Sequence, residues 1–489
     1  MILNKNNTKK VNNLLKEAID IGMFFKLQNN TNEKYLDMNK GLHLVKQLPK
    51  NGMPLSKVLK EFKNIFLPYC TNFSSPLFMG FPDAGNSVAA IMGSIISDFL
   101  QQNLINQTFC APSATFLEIS VIRWFREVIG YKNIKNVKNI WDVGGVVTSG
   151  GTMSNAIAIL LARENKFPNT MENGVRDQDK SFIVVPRGIG HYSVKSAQMW
   201  LGCGNRLIEV NTKDFKYDLF DLEEKLKKNK GKIMCLVAYA GDSRTMSVDQ
   251  FDKIAKLVKK IDPSIWLHAD ACHGFSLGFS HKLKNKIACI ELFDSVTFDP
   301  HKVLLTPYAV SIIAVKNPES FKKIISLSDL IMKEQFSFGQ ISPFLGSKAW
   351  NSLGLWFLIK NLGKKGIGKI IEKRHELAKY LEKKLILDKD FILMNKVDIN
   401  SVIFLYKGMI QIDNIDLLNE VNKKIHTIML KQGIYHLHQF SIPDSGYIKE
   451  GVIFYPLRFM SGNPNTTKKD VDSMIEYVRS LGNKINKKK

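Results

Sequence analysis

A chain of 489 residues is long enough for about two to three domains and a large buried core, and its composition carries no collagen-like or disordered bias. The formal charge of +24 raises a nucleic-acid or membrane-surface binder, but the lysines are scattered, the one dense basic run is the tail at 483–489, and no RNP-type aromatic motif or zinc-finger spacing accompanies them. Six cysteines without a C-x-x-C pair suggest neither a disulfide framework nor structural zinc, and no stretch reaches the ~18 apolar residues that span a bilayer, so a cytoplasmic protein with no metal, membrane or nucleic-acid partner is expected.

Residues 1–75 read as short helices and loops, with helical apolar spacing at 11–25 and 55–66. The loop 75–87 holds two prolines, two glycines and the aromatics Phe78 and Phe81 between helices, which suits a pocket wall. A helix over 88–104 follows, and Cys110-Ala111-Pro112 breaks the chain. Thr115 and Glu118 have the spacing of a capping box at the head of a helix over 116–129, whose face of Val121, Trp124, Phe125 and Val128 reads as core.

The turn Thr148-Ser149-Gly150-Gly151-Thr152-Met153-Ser154-Asn155 opens a helix over 156–163. A Gly-rich turn at a helix N-terminus binds phosphate, because free backbone N–H groups and the helix dipole face the anion. Gly145 and Gly150 have P-loop spacing, yet Gly151 stands where that motif needs Lys, and the pattern is not G-x-G-x-x-G.

Strand 182–186 leads into His191-Tyr192-Ser193, and strands 233–239 and 265–268 flank a helix over 251–261. This alternation predicts a mostly parallel α/β sheet with ligands at the carboxyl ends of its strands. One strand ends on Asp270, and a β-branched segment from Asp294 runs into Phe298-Asp299-Pro300-His301-Lys302. A lysine at a strand end is poised for Schiff-base chemistry with carbonyls. An aspartate on a neighbouring strand end can keep a pyridine nitrogen protonated, which makes a pyridoxal ring an electron sink. A buried Lys–Asp ion pair is the alternative for those two residues alone. His191, Asp270 and Lys302 all fall at strand ends.

A further strand runs to Val315, and the aperiodic stretch 326–347 reads as a lid carrying Phe336 and Phe338 but no Tyr. After a helix over 349–362 the pattern becomes helix, strand, helix, strand, helix. The expected organisation is an N-terminal helical segment (1–75), a large domain (76–365) and a small C-terminal α+β domain (366–489). Arg458 lies in an apolar strand over 455–460 and needs an anion, either a substrate carboxylate or an internal acid.

These motifs, with His268-Ala269-Asp270-Ala271 and Leu457-Arg458-Phe459 before Asn463-Pro464, resemble in order and spacing the group II pyridoxal-phosphate amino-acid decarboxylases over roughly residues 75–480. That family includes glutamate, cysteine-sulfinate, tyrosine and aromatic-amino-acid decarboxylases. The resemblance implies a PLP-dependent transferase-like fold of type I, with the large domain binding pyridoxal 5'-phosphate, and a homodimer with its site at the subunit interface. Lys302 would carry the cofactor, Asp270 would pair with the pyridine nitrogen, His191 would stack on the ring, and Cys272 would lie against it. Gly150, Gly151, Thr152 and His301 would hold the phosphate, Arg458 the substrate carboxylate. The implied reaction is decarboxylation of an L-amino acid to its amine and CO2 through an external aldimine and a quinonoid. Alternatives are oxidative deamination to an aldehyde, a lyase of the sphingosine-phosphate type, or an inactive basic nucleic-acid binder.

Three departures stand out. Residues 238–243 read Ala-Tyr-Ala-Gly-Asp-Ser where many members read Ala-Thr-x-Gly-Thr-Thr, Cys272 replaces a second Ala, and the lid lacks the Tyr that several members use as proton donor. The last makes His191 a candidate donor to Cα. Phe81-Pro82 points to an aromatic substrate, whereas Asn463-Pro464 leans to the glutamate-like branch. An acidic side chain would need a second cation beside Arg458, for which Lys348 is the near-lid candidate.

Overall fold

The computed structural model describes residues 2–176, 180–325 and 334–486. Its centre is a seven-stranded sheet built from β1 (Gly145–Thr148), β2 (Phe182–Pro186), β3 (Leu207–Val210), β4 (Ile233–Tyr239), β5 (Trp266–Asp270), β6 (Ser295–Phe298) and β7 (Ser311–Val315). The spatial order is β1-β7-β6-β5-β4-β2-β3. From β3 to β6 every neighbouring pair is parallel, and β7 alone runs antiparallel to both its neighbours. Residues 299–310, between β6 and β7, hold only the one-turn helix Pro300–Val303. A parallel return needs a crossover of about a dozen or more residues, usually a full helix. The chain therefore turns straight back, and that turn carries Lys302.

Every residue of β4 is buried, as is typical of a strand covered on both faces. The covering helices follow from their apolar spacing. In α6 (Phe251–Ile261), counting as α1 Thr8–Lys26, α2 Val88–Leu100, α3 Ala114–Val128, α4 Gly151–Lys166 and α5 Tyr192–Trp200, the residues Phe251, Ile254, Ala255, Val258 and Ile261 form one buried stripe. Each large side chain on such a stripe contributes about 1.5–3 kcal/mol. Phe125 of α3 meets Phe298 edge to face, and Phe275 meets the same ring, so the core closes beneath the Lys302 turn.

Two helix expectations need correction. The spacing of Thr115 and Glu118 does not make a capping box: α3 starts earlier, Thr115 donates to the carbonyl of Ala111, and Glu118 is fully buried against Lys348 at 2.6 Å. A buried carboxylate gains more from an ammonium than from one backbone N–H. The helix expected over 349–362 begins instead α7 (Ser352–Leu387), which breaks at Gly363 with φ 60° and continues past the expected boundary at 365/366. Residues 326–333 of the expected lid lie outside the described residues.

A second, antiparallel sheet has the order β8-β9-β11-β10, with β8 Phe391–Leu393, β9 Ser401–Tyr406, β10 His438–Gln439 and β11 Leu457–Met460. The loop after Ser75 is tied to it: Met79 N–H donates to the His436 carbonyl (2.8 Å), Met460 N–H donates to the Met79 carbonyl (2.6 Å), and Phe78 stacks on His436 at 4.5 Å. No helix among the described residues is long and apolar enough to cross a membrane.

Candidate active site

A cavity of about 840 Å³ opens where β1, β2, β5 and β6 end. Its phosphate-type end is the turn into α4. A Cβ at Gly151 would meet the Asp299 carboxylate at 2.6 Å and Cys272 Sγ at 2.9 Å, so only glycine lets this turn lie flat on the floor. Gly150, Gly151 and Thr152 then border the cavity with the unpaired N–H groups of the first helical turn. Thr152 Oγ1 is 3.4 Å from the Tyr192 hydroxyl. His301 borders the same space, its Nδ1–H donating to the Val310 carbonyl at 2.6 Å.

At the middle of the cavity stands Asp270, the last residue of β5 and 5% exposed. Its Oδ1 accepts from Cys272 N–H (3.2 Å) and its Oδ2 from Asn155 Nδ2 (2.9 Å). The same Asn155 amide donates to Ser193 Oγ at 2.9 Å, which leaves the Ser193 hydroxyl proton for His191 Nδ1 at 2.7 Å. Behind them, Trp266 Nε1–H donates to Ser295 Oγ (2.8 Å), Ser295 to His268 Nδ1 (2.8 Å), and His268 Nε2–H to Asn155 Oδ1 (3.1 Å). Donors and acceptors match along the whole chain, and the matching assigns the proton of neutral His191 to Nε2. Burial pushes the His191 imidazole down, against the pull of Asp270, and pushes His268 down to about 4. Both rings are therefore neutral near pH 7. The Cys272 thiol, buried against Asp270 and Asp299, is pushed up and stays protonated.

Lys302 Nζ reaches the cavity 2.7 Å from Asp299 Oδ2. Burial would lower the ammonium, but its acidic neighbours, Asp299 foremost with Asp270 behind it, together outweigh burial and the net shift is upward. Asp299, although buried, is held below the ordinary carboxylate range by Lys302 and His301. The ion pair is thus Lys302 with Asp299, its neighbour in sequence, and Asp270 is left to the cavity. This arrangement fits pyridoxal phosphate: an open helix N-terminus, a fixed carboxylate, a neutral imidazole and a lysine share one space.

The opposite end holds Phe81 and Arg458. Arg458 is 1% exposed and donates to the carbonyls of Gly80, Ser243 and Arg244, and makes no ion pair among the described residues. Burial pushes its guanidinium down to about 10, with Asp242 pulling the other way. Three expectations fail here. Lys348 does not reach the cavity, because Glu118 holds it in the core. Phe336 packs edge-on against Phe116 at 5.2 Å, and Phe338 is fully buried under Lys348. Neither Phe336 nor Phe338 borders the cavity; Phe344, in the same stretch, does. The large apolar rings of Phe336 and Phe338 gain more by burial than a cavity wall would give them. Sequence reasoning also assigned no role to Asn155, Asp299, Tyr308 or His438, all of which line the cavity. Asn155 and Asp299 lay inside motifs already singled out; nothing local marks His438.

A parallel sheet with this lysine, aspartate and phosphate-type turn at its strand ends defines a fold-type-I pyridoxal-phosphate enzyme. The pyridoxal-dependent decarboxylase conserved domain matches residues 38–407. The chain belongs to the pyridoxal-dependent decarboxylase family: it is a carboxy-lyase of amino-acid metabolism and its cofactor is pyridoxal 5'-phosphate. Among similar proteins, an aromatic-L-amino-acid decarboxylase of Bacillus atrophaeus is 26% identical over 459 residues, covering 90% of this chain and 88% of the relative. A phenylacetaldehyde synthase of Petunia hybrida is 24% identical over 453 residues, covering 88% and 85%. The crystal structure of Oryza sativa TDC with PLP and tryptamine superposes with a TM-score of 0.87 at 17% identity, covering 99% of this chain and 100% of that one.

Proposed function

We propose that the protein decarboxylates an aromatic L-amino acid to its amine and CO2. The observation that carries this reading is the side-chain end of the cavity. Phe81 forms an apolar wall there, and Lys302 and Arg458 are the only lysine or arginine lining the cavity among the described residues. Lys302 is committed to the cofactor and Arg458 to the substrate carboxylate, so an acidic side chain finds no further cation among this chain's described residues.

Bound pyridoxal phosphate supplies the electron sink for loss of CO2. Lys302 Nζ would bind its aldehyde, with Asp299 holding that nitrogen in place. Asp270 would keep a proton on the ring nitrogen, and the two donors fixing its oxygens prevent it from turning away. His191 would lie over the ring, oriented by Ser193 and Asn155. Gly150, Gly151, Thr152 and His301 would hold the phosphate, and Cys272 would fill the space beside the ring. Arg458 keeps one Nη2–H uncommitted for the substrate carboxylate. His191 Nε2–H, and the Tyr308 hydroxyl beside Asp83, are candidate proton donors to Cα among the groups lining the cavity.

A screen of CO2 release over the common amino acids, cysteine sulfinate, 2,4-diaminobutyrate and dihydroxyphenylalanine tests the reading. Turnover of aromatic substrates is expected; strong activity on glutamate or aspartate with none on aromatic substrates would overturn it. Peroxide measured in the same assay under air decides the second reading, the aldehyde product, which is favoured by the absence of any tyrosine between 334 and 347.

The working unit is a homodimer with the site at its interface. Val88, Met92, Ile95, Ile96 and Phe99 form an exposed apolar stripe along α2, Leu15, Ile19 and Met23 a second along α1, and the cavity rim exposes Tyr192 and Trp200. Sedimentation should give twice the chain mass; a monomer at micromolar concentration that still turns over substrate would refute the shared site. Six unpaired thiols support a reducing, cytoplasmic location.

A further inference from the structure

His191, His273 and His301, which also line the cavity, each have a ring nitrogen in a hydrogen bond; His438 is the one cavity-lining histidine with none to either ring nitrogen among the described residues. It sits on β10 directly opposite Arg458 on β11. Directly opposed residues of an antiparallel pair project from the same face, so both side chains point to the cavity. Its ring lies 5.5 Å from Phe81 and 5.7 Å from Phe440. The backbone holds it there: a Cβ at Gly80 would strike Leu437 C at 2.6 Å and the His438 amide nitrogen, so the Phe81 loop is packed directly onto β10.

The ring's protonation follows from its surroundings. Burial, with Arg458, His436 and His426 around it and no carboxylate among them, pushes the imidazole down to about 3, so it is neutral at working pH. Nδ1 is sealed in the protein without a partner, whereas Nε2 is not. A sealed lone pair costs less than a sealed N–H, which places the proton on Nε2. The cavity wall beside Phe81 therefore presents one neutral N–H donor.

We propose that His438 selects the substrate by donating Nε2–H to a ring hydroxyl, so that the enzyme prefers phenolic amino acids (tyrosine, dihydroxyphenylalanine) to phenylalanine and tryptophan. This rests on the aromatic reading above and sharpens it. Phenylalanine offers no acceptor, and an indole N–H would face another donor. A site built to bond a hydroxyl rejects the analogue lacking it because its own polar group is left unpaired.

The test compares kcat/KM for tyrosine, phenylalanine and tryptophan in the native holoenzyme, His438→Leu and His438→Gln. The native enzyme should favour tyrosine over phenylalanine by at least about 10-fold. His438→Leu should bring that ratio to about 1, and His438→Gln, whose amide N–H falls near the same place, should restore part of it. Calorimetry with 3-(4-hydroxyphenyl)propionate and 3-phenylpropionate, which lack the amine and cannot condense with the cofactor, should show the same loss of discrimination in His438→Leu. A native ratio near or below 1, or a ratio that survives His438→Leu, overturns the proposal even if the leucine variant alone folds poorly. Turnover of acidic amino acids and of no aromatic one would overturn the parent reading with it, whereas equal handling of tyrosine and phenylalanine removes only the role of His438.

Discussion

Lys302→Ala should lower turnover by at least about 10⁴-fold, roughly 5 kcal/mol of transition-state stabilisation. It should also remove the visible absorbance of a lysine-bound cofactor. In the native protein, borohydride should fix the cofactor onto Lys302 alone. The alanine variant has a second consequence that must be separated from the first. It leaves Asp299, 1% exposed, without its ammonium partner at 2.7 Å. Breaking a buried pair by removing one partner costs about 3–5 kcal/mol. Lys302→Arg keeps the positive charge beside Asp299 but cannot condense with an aldehyde. It should melt closer to the native protein than Lys302→Ala does and be equally inactive. Borohydride label on another lysine, or turnover retained in Lys302→Arg, would remove Lys302 from its proposed role.

Asp270→Asn should reduce turnover by about 10³–10⁴-fold, or ~4–5.5 kcal/mol, while cofactor still binds. The change is nearly isosteric, so the cavity keeps its shape. What it removes is the charge proposed to hold a proton on the pyridine nitrogen. It also disturbs the hydrogen bonds: Cys272 N–H and Asn155 Nδ2 both point donors at this side chain, and an amide meets one of them with its own NH2 whichever way it turns. Absorbance of the bound cofactor checks occupancy, and CO2 release checks the chemistry. Near-native turnover with full occupancy would show that another group supplies the pyridine proton.

Much of the site was legible because its parts sit at strand ends. His191, Asp270 and Lys302 each follow a short apolar run bounded by a turn, and such runs are set by neighbouring residues. The Gly-rich turn could likewise be read, since only a helix N-terminus with small residues leaves backbone donors open. The strand limits 182–186, 233–239 and the helix 251–261 agree with the structure for the same reason.

The sequence by itself therefore determined the sheet, the order of the motifs along it and which candidate residues stand at its carboxyl edge. Tertiary structure alone decided which charged and aromatic side chains turn inward to that edge. Glu118 looked like a helix cap and Lys348 like a substrate cation, yet they neutralise each other in the core, since neither can be buried unpaired. Phe336 and Phe338 looked like lid residues and are packing. Asn155 looked like the last residue of the Gly-rich turn and proves to orient both Asp270 and His191. His438 carried no local signal, because its place beside Phe81 depends on a β10–β11 register and on a loop more than three hundred residues earlier in the chain. Periodicity reports the interactions of near neighbours; the partners of a buried charge or an imidazole are chosen by which distant segments the fold brings into contact.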